Sequence, residues 1–340
     1  MEKIKERLKR LCALQTVSGH ESLVEALTDE EKKCLDKIEL DKMGNLLLVK
    51  KSGKQNAKKL LIDAHLDIVG FMVTSVEDGG FLKIINVGGL DTRVLPATHV
   101  KVFGKRVIDG VITSTPPHLR VGGPKLPKID ELMIDTGIDT EELKDIVSIG
   151  DIAMYKPYFT ELQNDYVCAV GLDDKACACA VIDFIVNCHK NQLAYDVYAV
   201  LSAQEETGKC GAARAAFDIK PDIAIVTDVN FARGEGIEER ESIQCEKGAS
   251  VDISSLTNRQ LTRNIIKLLK GQDIPFQIVC EPSYTGTNND ALSISGEGIR
   301  TALMSIPLKG MHTPSEIVSL KDIMSLSQML SAVARAKEVL

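Results

Sequence analysis

The sequence predicts an α/β protein: a discontinuous main domain with a mixed sheet flanked by helices, interrupted by a β-rich, barrel-like insert. Three observations carry that prediction. Beyond about residue 161, helical and strand patterns alternate along the chain. Residues 67–160 are instead rich in Val, Ile and Gly in short runs, the pattern of a barrel or sandwich. A length of 340 residues is long for one compact core and suits two domains, which parse as 1–66 with 161–340 and as 67–160.

The elements follow in order. Ile4, Leu8, Leu11 and Leu14 recur at helical spacing, so the chain opens on an amphipathic helix. A break at Ser18 and Gly19 precedes a second predicted helix that runs to about Lys37. Strands follow at 45–49 and 60–64, separated by a polar turn at 51–59. Within the insert, strands are expected at 71–75, 81–87 and 99–103. The alternating part then reads as helix 176–188, strand 196–203, helix 211–217 and strand 222–227. It continues with helix 258–270, strands 276–280 and 301–306, and a closing helix at 320–339.

Composition narrows the function classes. The formal net charge is -7, Trp is absent and aromatics reach only 4%. Binding nucleic acid needs clustered Lys and Arg or aromatic stacking platforms, and neither is present. Lys50-Lys51 and Lys58-Lys59 flank a turn and read as solvated. There are 9 cysteines and no CxxC pair, which argues against a zinc ribbon or thioredoxin-like motif and fits a reducing compartment. Cys177 and Cys179 lie two apart on a helix, point to different faces, and read as buried small hydrophobes rather than ligands. The opening MEKIKERLKRL reads as a charged helix, not a signal peptide, and no apolar run approaches ~18 residues. A soluble, cytoplasmic protein without membrane contact is expected.

The chemistry-bearing residues fall at predicted strand ends. His65 follows the apolar run 60–62, Glu205 and Glu206 follow 197–203, and Asp228 follows 223–227. His312 lies shortly after 302–306, and Asp173 opens the 176–188 helix. In open α/β sheets that edge is where ligands bind. Two imidazoles and several carboxylates converging there could hold two divalent ions such as Zn, Co or Mn. Each residue also has a plain structural reading: His65 as a core histidine, Glu205-Glu206 as a solvated loop, Asp173-Asp174 as a helix cap. Pattern alone does not choose between these readings and does not name a reaction.

The stretch 63–73, DAHLDIVGFMV, resembles the first metal motif of the glutamyl-aminopeptidase-like family, which includes the tetrahedral dodecameric aminopeptidases. Further segments resemble the family in order: GVITSTPPHL at 110–119, GLDDKA at 171–176, AQEETG at 203–208, and TDV at 227–229. SIPL at 305–308, MHTP at 311–314 and IVSLKDI at 317–323 close the series. The resemblance implies a metallo-aminopeptidase acting on short peptides. His65, Asp173 and Asp228 would hold one metal. Asp173, Glu206 and His312 would hold the second, with Asp173 bridging. Glu205 would serve as general base and acid for a metal-bound hydroxide, and Asp67 would orient the His65 ring. It also implies self-association, commonly as a dodecamer, mediated by the insert. Departures occur at Ile68, where the family commonly has Glu, after Asp228, where Val229-Asn230-Phe231 replaces further Asp and Pro, and inside 286–291 (GTNNDA). They leave a two-metal amidase or deacylase on a non-peptide substrate as the alternative, with an inactive oligomeric scaffold behind it.

Overall fold

The computed structural model describes residues 1–21, 23, 25–113, 126–234 and 236–339. An eight-stranded mixed sheet forms the main domain, in the order Lys37–Leu40, Leu46–Lys50, Asp196–Ser202, Lys59–His65, Ile223–Phe231, Arg300–Leu308, Ser250–Ser254, Gln277–Glu281. The middle four of these, from Asp196–Ser202 to Arg300–Leu308, run parallel. Their sequences are mostly apolar, with few alternating polar positions, because both faces are covered. Leu60 and Ile62 face one layer of the core while Leu61 faces the other.

Helices Glu2–Cys12, Leu172–Asn187 and Leu320–Arg335 cover one face. Leu172–Asn187 lies against the sheet with the other two packed over it, so every residue from Leu172 to Ile182 is buried. Cys177 and Cys179 are buried there as the sequence suggested. Helix Cys210–Ile219 covers the opposite face through Ala212, Ala215 and Ala216.

The insert closes as a six-stranded antiparallel barrel of Gly70–Glu77, Phe81–Val87, Met133–Asp135, Val107–Thr113, His99–Phe103 and Ile152–Tyr155. It has its own core, in which Phe71 and Tyr155 meet edge to face at 5.6 Å. A small antiparallel sheet of Phe159–Glu161, Tyr166–Ala169 and Glu316–Ser319 then brings the far end of the chain beside the segment that leads into Asp173.

Several expectations need correction. The helix expected to about Lys37 is only Asp29–Lys33, and Lys37–Leu40 is an exposed edge strand. Thr28 starts a new helix there through a capping box with Glu31, and Arg7 and Arg10 hold the Glu31 carboxylate at 2.7 and 2.6 Å. The helix-like spacing of Leu23, Ala26 and Leu27 serves a non-helical segment packed into the core. The closing helix ends at Arg335, followed by a separate turn Lys337–Val339. The 222–227 strand continues to Phe231, so Asp228 lies inside a strand, opposite Ser305, rather than past its end. The Pro-Pro-His-Leu residues 116–119 lie outside the described residues.

Candidate metal centre

The ligand candidates arrive from five places. His65 is the last residue of its strand, and Asp228 comes from the neighbouring parallel strand. Asp173 stands at the start of Leu172–Asn187, Glu205 and Glu206 open a short helix Glu205–Gly208, and His312 sits in the turn after Arg300–Leu308. The turns are held open by backbone that few residues adopt. Gln204 and His312 have φ of 59° and 60°. Gly171 has φ +69°, and a Cβ there would meet Ile68 Cγ2 at 2.7 Å, so glycine lets the Asp173 segment close on the loop after His65.

Asp173 is the centre of the arrangement. Its Oδ1 lies 3.1 Å from His65 Nε2 and its Oδ2 lies 3.3 Å from His312 Nε2. Asp228 Oδ1 is 3.9 Å from the same His65 nitrogen, and Glu206 Oε1 is 3.4 Å from His312 Nε2. Donor atoms of His65, Asp173 and Asp228 fall within 4.8 Å of one another, and so do those of Asp173, Glu206 and His312. The two groups share Asp173, one oxygen toward each imidazole.

Supporting contacts aim these side chains. The backbone carbonyl of Asp67 lies 3.0 Å from His65 Nδ1, which leaves Nε2 for the centre. The Asp67 carboxylate is 3.6 Å from that ring and accepts the amides of Glu205 and Glu206 at 3.0 and 3.1 Å. Asp67 therefore orients the ring through its main chain and the Glu205-Glu206 turn through its side chain. Glu316, which sequence reasoning missed, does the same across the site. Its Oε1 accepts the His312 amide at 2.8 Å and its Oε2 the Asp173 amide at 3.1 Å. Cys177 donates its thiol to the Asp228 carbonyl at 3.0 Å.

Burial gives these groups unusual proton affinities. It pushes the Glu205 carboxyl up to about 7, against the pull of His65 and with the help of Glu206 and Asp173. It likewise raises Asp228, where Asp174 adds to the effect, and Glu206. Burial opposes protonation of His312, yet hydrogen bonds to Asp173 and Glu206 raise its pKa to about 11. The same bonds, with those to His65, hold Asp173 below the usual carboxylate range despite its burial. So many buried acids draw in positive charge, and divalent cations would displace those protons. Glu205 Oε1 is buried and, among the described residues, has no hydrogen-bond partner. His and carboxylate donors in two sets sharing one bridging carboxylate fit a pair of divalent ions.

The centre opens into a cavity of about 1050 Å³ lined in part by His65, Asp173, Glu205, Asp228 and His312. A volume of this order accepts several amino-acid residues of substrate.

A profile of the M42 glutamyl aminopeptidase family matches residues 44–329. The chain belongs to the M42 family. This M42 enzyme is 31% identical to the lysyl aminopeptidase of Pyrococcus furiosus, over 96% of each chain. An aminopeptidase from the archaeon Desulfurococcus kamchatkensis superposes with a TM-score of 0.92 at 27% identity, covering 99% of this chain and 96% of the other. The TET1 peptidase of Pyrococcus horikoshii, described as assembling into a tetrahedron or a large octahedral shell, superposes at 0.86 with 29% identity over 97% and 99%. The M42 chain is thus a peptidase of the aminopeptidase type, as its motifs implied. Among its described residues, no helix is long and apolar enough to cross a membrane.

Proposed function

We propose that the chain is a two-metal aminopeptidase that removes amino-terminal residues from short peptides, with Glu205 as general base and acid. The carrying observation is Asp173, whose two oxygens each face a different imidazole at 3.1 and 3.3 Å. In this reading His65, Asp173 and Asp228 hold one divalent ion, and Asp173, Glu206 and His312 hold the other. When bound, the ions supply Lewis acidity for the scissile carbonyl and lower the pKa of the attacking water.

The protein's own groups do the rest. Glu205 Oε1, buried on the cavity lining beside the ligand candidates, takes the proton of the attacking water and returns it to the leaving amine. Asp67 holds the Glu205 amide, and its carbonyl holds the His65 ring, so base and ligand keep their relative placement. The cavity walls around the centre hold the peptide and limit competing water.

The wider context follows the same reading. Self-association through the insert belongs to the same reading, supported by the similar TET1 peptidase of Pyrococcus horikoshii, which is described as assembling into a tetrahedron or a large octahedral shell. Free cysteines throughout the chain favour a reducing cytoplasm. Zn, Co and Mn all suit the donor set. The test is hydrolysis of an aminoacyl-p-nitroanilide panel with each metal and with a chelator. Chelator-sensitive release from free-amine substrates, absent with amino-blocked ones, is expected. Silence with every metal, despite about two ions per chain, would refute peptide trimming.

A further inference from the structure

The turn that carries Glu205 is entered through Gln204, whose φ of 59° takes it out of both strand and helix geometry. It lies between strand Asp196–Ser202 and the single helical turn Glu205–Gly208. Consecutive amides along this entry are accepted by side chains from elsewhere in the chain. Asn45 Oδ1 accepts the Ala203 amide at 2.9 Å, and Glu21 Oε1 accepts the Gln204 amide at 3.1 Å. Asp67 takes the next two, those of Glu205 and Glu206.

Glu21 belongs to the segment that breaks at Ser18 and Gly19. Val17 there forms a parallel bridge to Ile68, the neighbour of Asp67. The Ser18 amide donates to the Ile68 carbonyl at 3.1 Å, and the Ile68 amide donates to the Thr16 carbonyl at 2.9 Å. Ser18 is buried, and its hydroxyl meets that of Thr207 at 2.8 Å. Glu21 Oε1 accepts the Gly19 amide at 2.8 Å as well as that of Gln204, so one oxygen joins the segment to the turn. Residues 16–21 thus bind the loop that carries Asp67 and both ends of the turn that carries Glu205.

Glu205 depends on this grip more than Glu206 does. Glu206 Oε1 has His312 Nε2 at 3.4 Å and, in the reading above, a metal ion to hold it. Glu205 Oε1 is buried without a hydrogen-bond partner among the described residues. Its aim is therefore set by the backbone of the turn. A displacement of about 1 Å caused by a change away from the reacting atoms can cost about 10²-fold in rate.

We propose that Glu21 is a positioning residue for Glu205: with Ser18, it clamps the turn 204–207 from the amino-terminal segment and sets the aim of the general base. The inference rests on the reading of Glu205 as base, and the experiment separates the two. Both amides reach the same oxygen of Glu21, so glutamine can keep both contacts and alanine keeps neither. Hydrolysis of the aminoacyl-p-nitroanilide that the parent cleaves fastest is measured on the metal-loaded parent, Glu21→Ala, Glu21→Gln and Ser18→Ala. Bound metal is measured by mass spectrometry, and hydrogen exchange is followed over residues 203–208 of the same proteins.

In Glu21→Ala, kcat should fall by about tenfold or more, the order of one hydrogen bond to a charged group. KM should stay within about threefold and bound metal should be unchanged, while exchange over 203–208 quickens by about tenfold. Glu21→Gln should recover kcat to within about threefold of the parent, because its oxygen still accepts. Ser18→Ala should lower kcat by about threefold and quicken exchange in the same region, which keeps the test if alanine at position 21 prevents folding. Exchange unchanged in Glu21→Ala and Ser18→Ala overturns the clamp whatever the activity. A loosened turn with full kcat, or a loss of bound metal in step with kcat, overturns the assignment to Glu205 and leaves the aminopeptidase reading standing. A parent that hydrolyses nothing, with exchange raised in Glu21→Ala and restored in Glu21→Gln, sinks that reading and keeps the clamp.

Discussion

Replacing Glu316 by alanine should destabilise the protein and weaken one half of the metal centre. The carboxylate is 2% exposed and spans two chain segments, accepting the Asp173 amide at 3.1 Å and the His312 amide at 2.8 Å. Alanine leaves the Asp173 N–H buried with no partner, at a cost of about 1–3 kcal/mol, and adds roughly 1 kcal/mol for the more accessible His312 amide. A total of about 2–4 kcal/mol is expected in urea unfolding of the chelated protein. Glu316→Gln keeps one acceptor oxygen and should lose about half of that. The loss also has a direction. Glu316 holds Asp173 and His312, so ion occupancy at the Asp173–Glu206–His312 group should fall before that at His65–Asp228. Metal content measured by mass spectrometry at rising free metal would show a weakened step. If Glu316→Ala unfolded within about 0.5 kcal/mol of the parent and bound metal unchanged, the claim that this acid anchors the two ligands would be wrong.

Three further outcomes are expected. Glu205→Gln should keep folding and metal content while lowering kcat by at least about 10²-fold, and near-normal turnover would remove Glu205 from the mechanism. His65→Ala and His312→Ala should each reduce bound metal, and retention of both ions in either variant would contradict the assignment. Asp252 gives a pH effect of defined sign. Its folded pKa of about 6 exceeds the ordinary 3.8, so the native state holds the proton more tightly. Its contribution to stability is full below pH 4 and is lost as pH rises through 6, by up to about 3 kcal/mol. Asp252→Asn should abolish that part of the pH dependence, and an unchanged slope between pH 4 and 7 would refute it.

Much of the fold was legible because its signals are local and physical. The central strands are rich in apolar residues, so 60–64, 196–203 and 301–306 could be read without partners in view. His65, Glu205 and Glu206 stood out because a polar residue at the end of such a run needs a reason. Strand Ser250–Ser254 escaped because its inward residues include Ser250 and Asp252, whose burial is made possible by cross-strand hydroxyls invisible in sequence. Glu316 escaped for a similar reason. Its strand has four residues, and its partners are main-chain amides at sites that only the folded chain brings close. In the segment expected as helix up to about Lys37, Leu23, Ala26 and Leu27 are buried in the core although the helix there is only Asp29–Lys33.

The supporting residues also explain how so acidic a centre holds its shape. Asp67 and Glu316 are buried carboxylates, and each accepts two backbone amides: those of Glu205 and Glu206 for one, those of Asp173 and His312 for the other. The four residues gripped in this way are the candidate base and three of the proposed ligands. Each amide satisfied by a carboxylate is a donor that the turns at Gln204 and His312, with their positive φ, cannot satisfy by continuing a helix or strand. The price is a further buried acid beside Asp173: burial, then the charge of Asp173, pushes Glu316 up to about 8. Cations in the centre would offset that charge, so the groups that position the ligands also raise the centre's demand for metal. Local backbone chemistry and metal affinity are therefore not separable here: loosening either turn by removing Asp67 or Glu316 removes charge and geometry together.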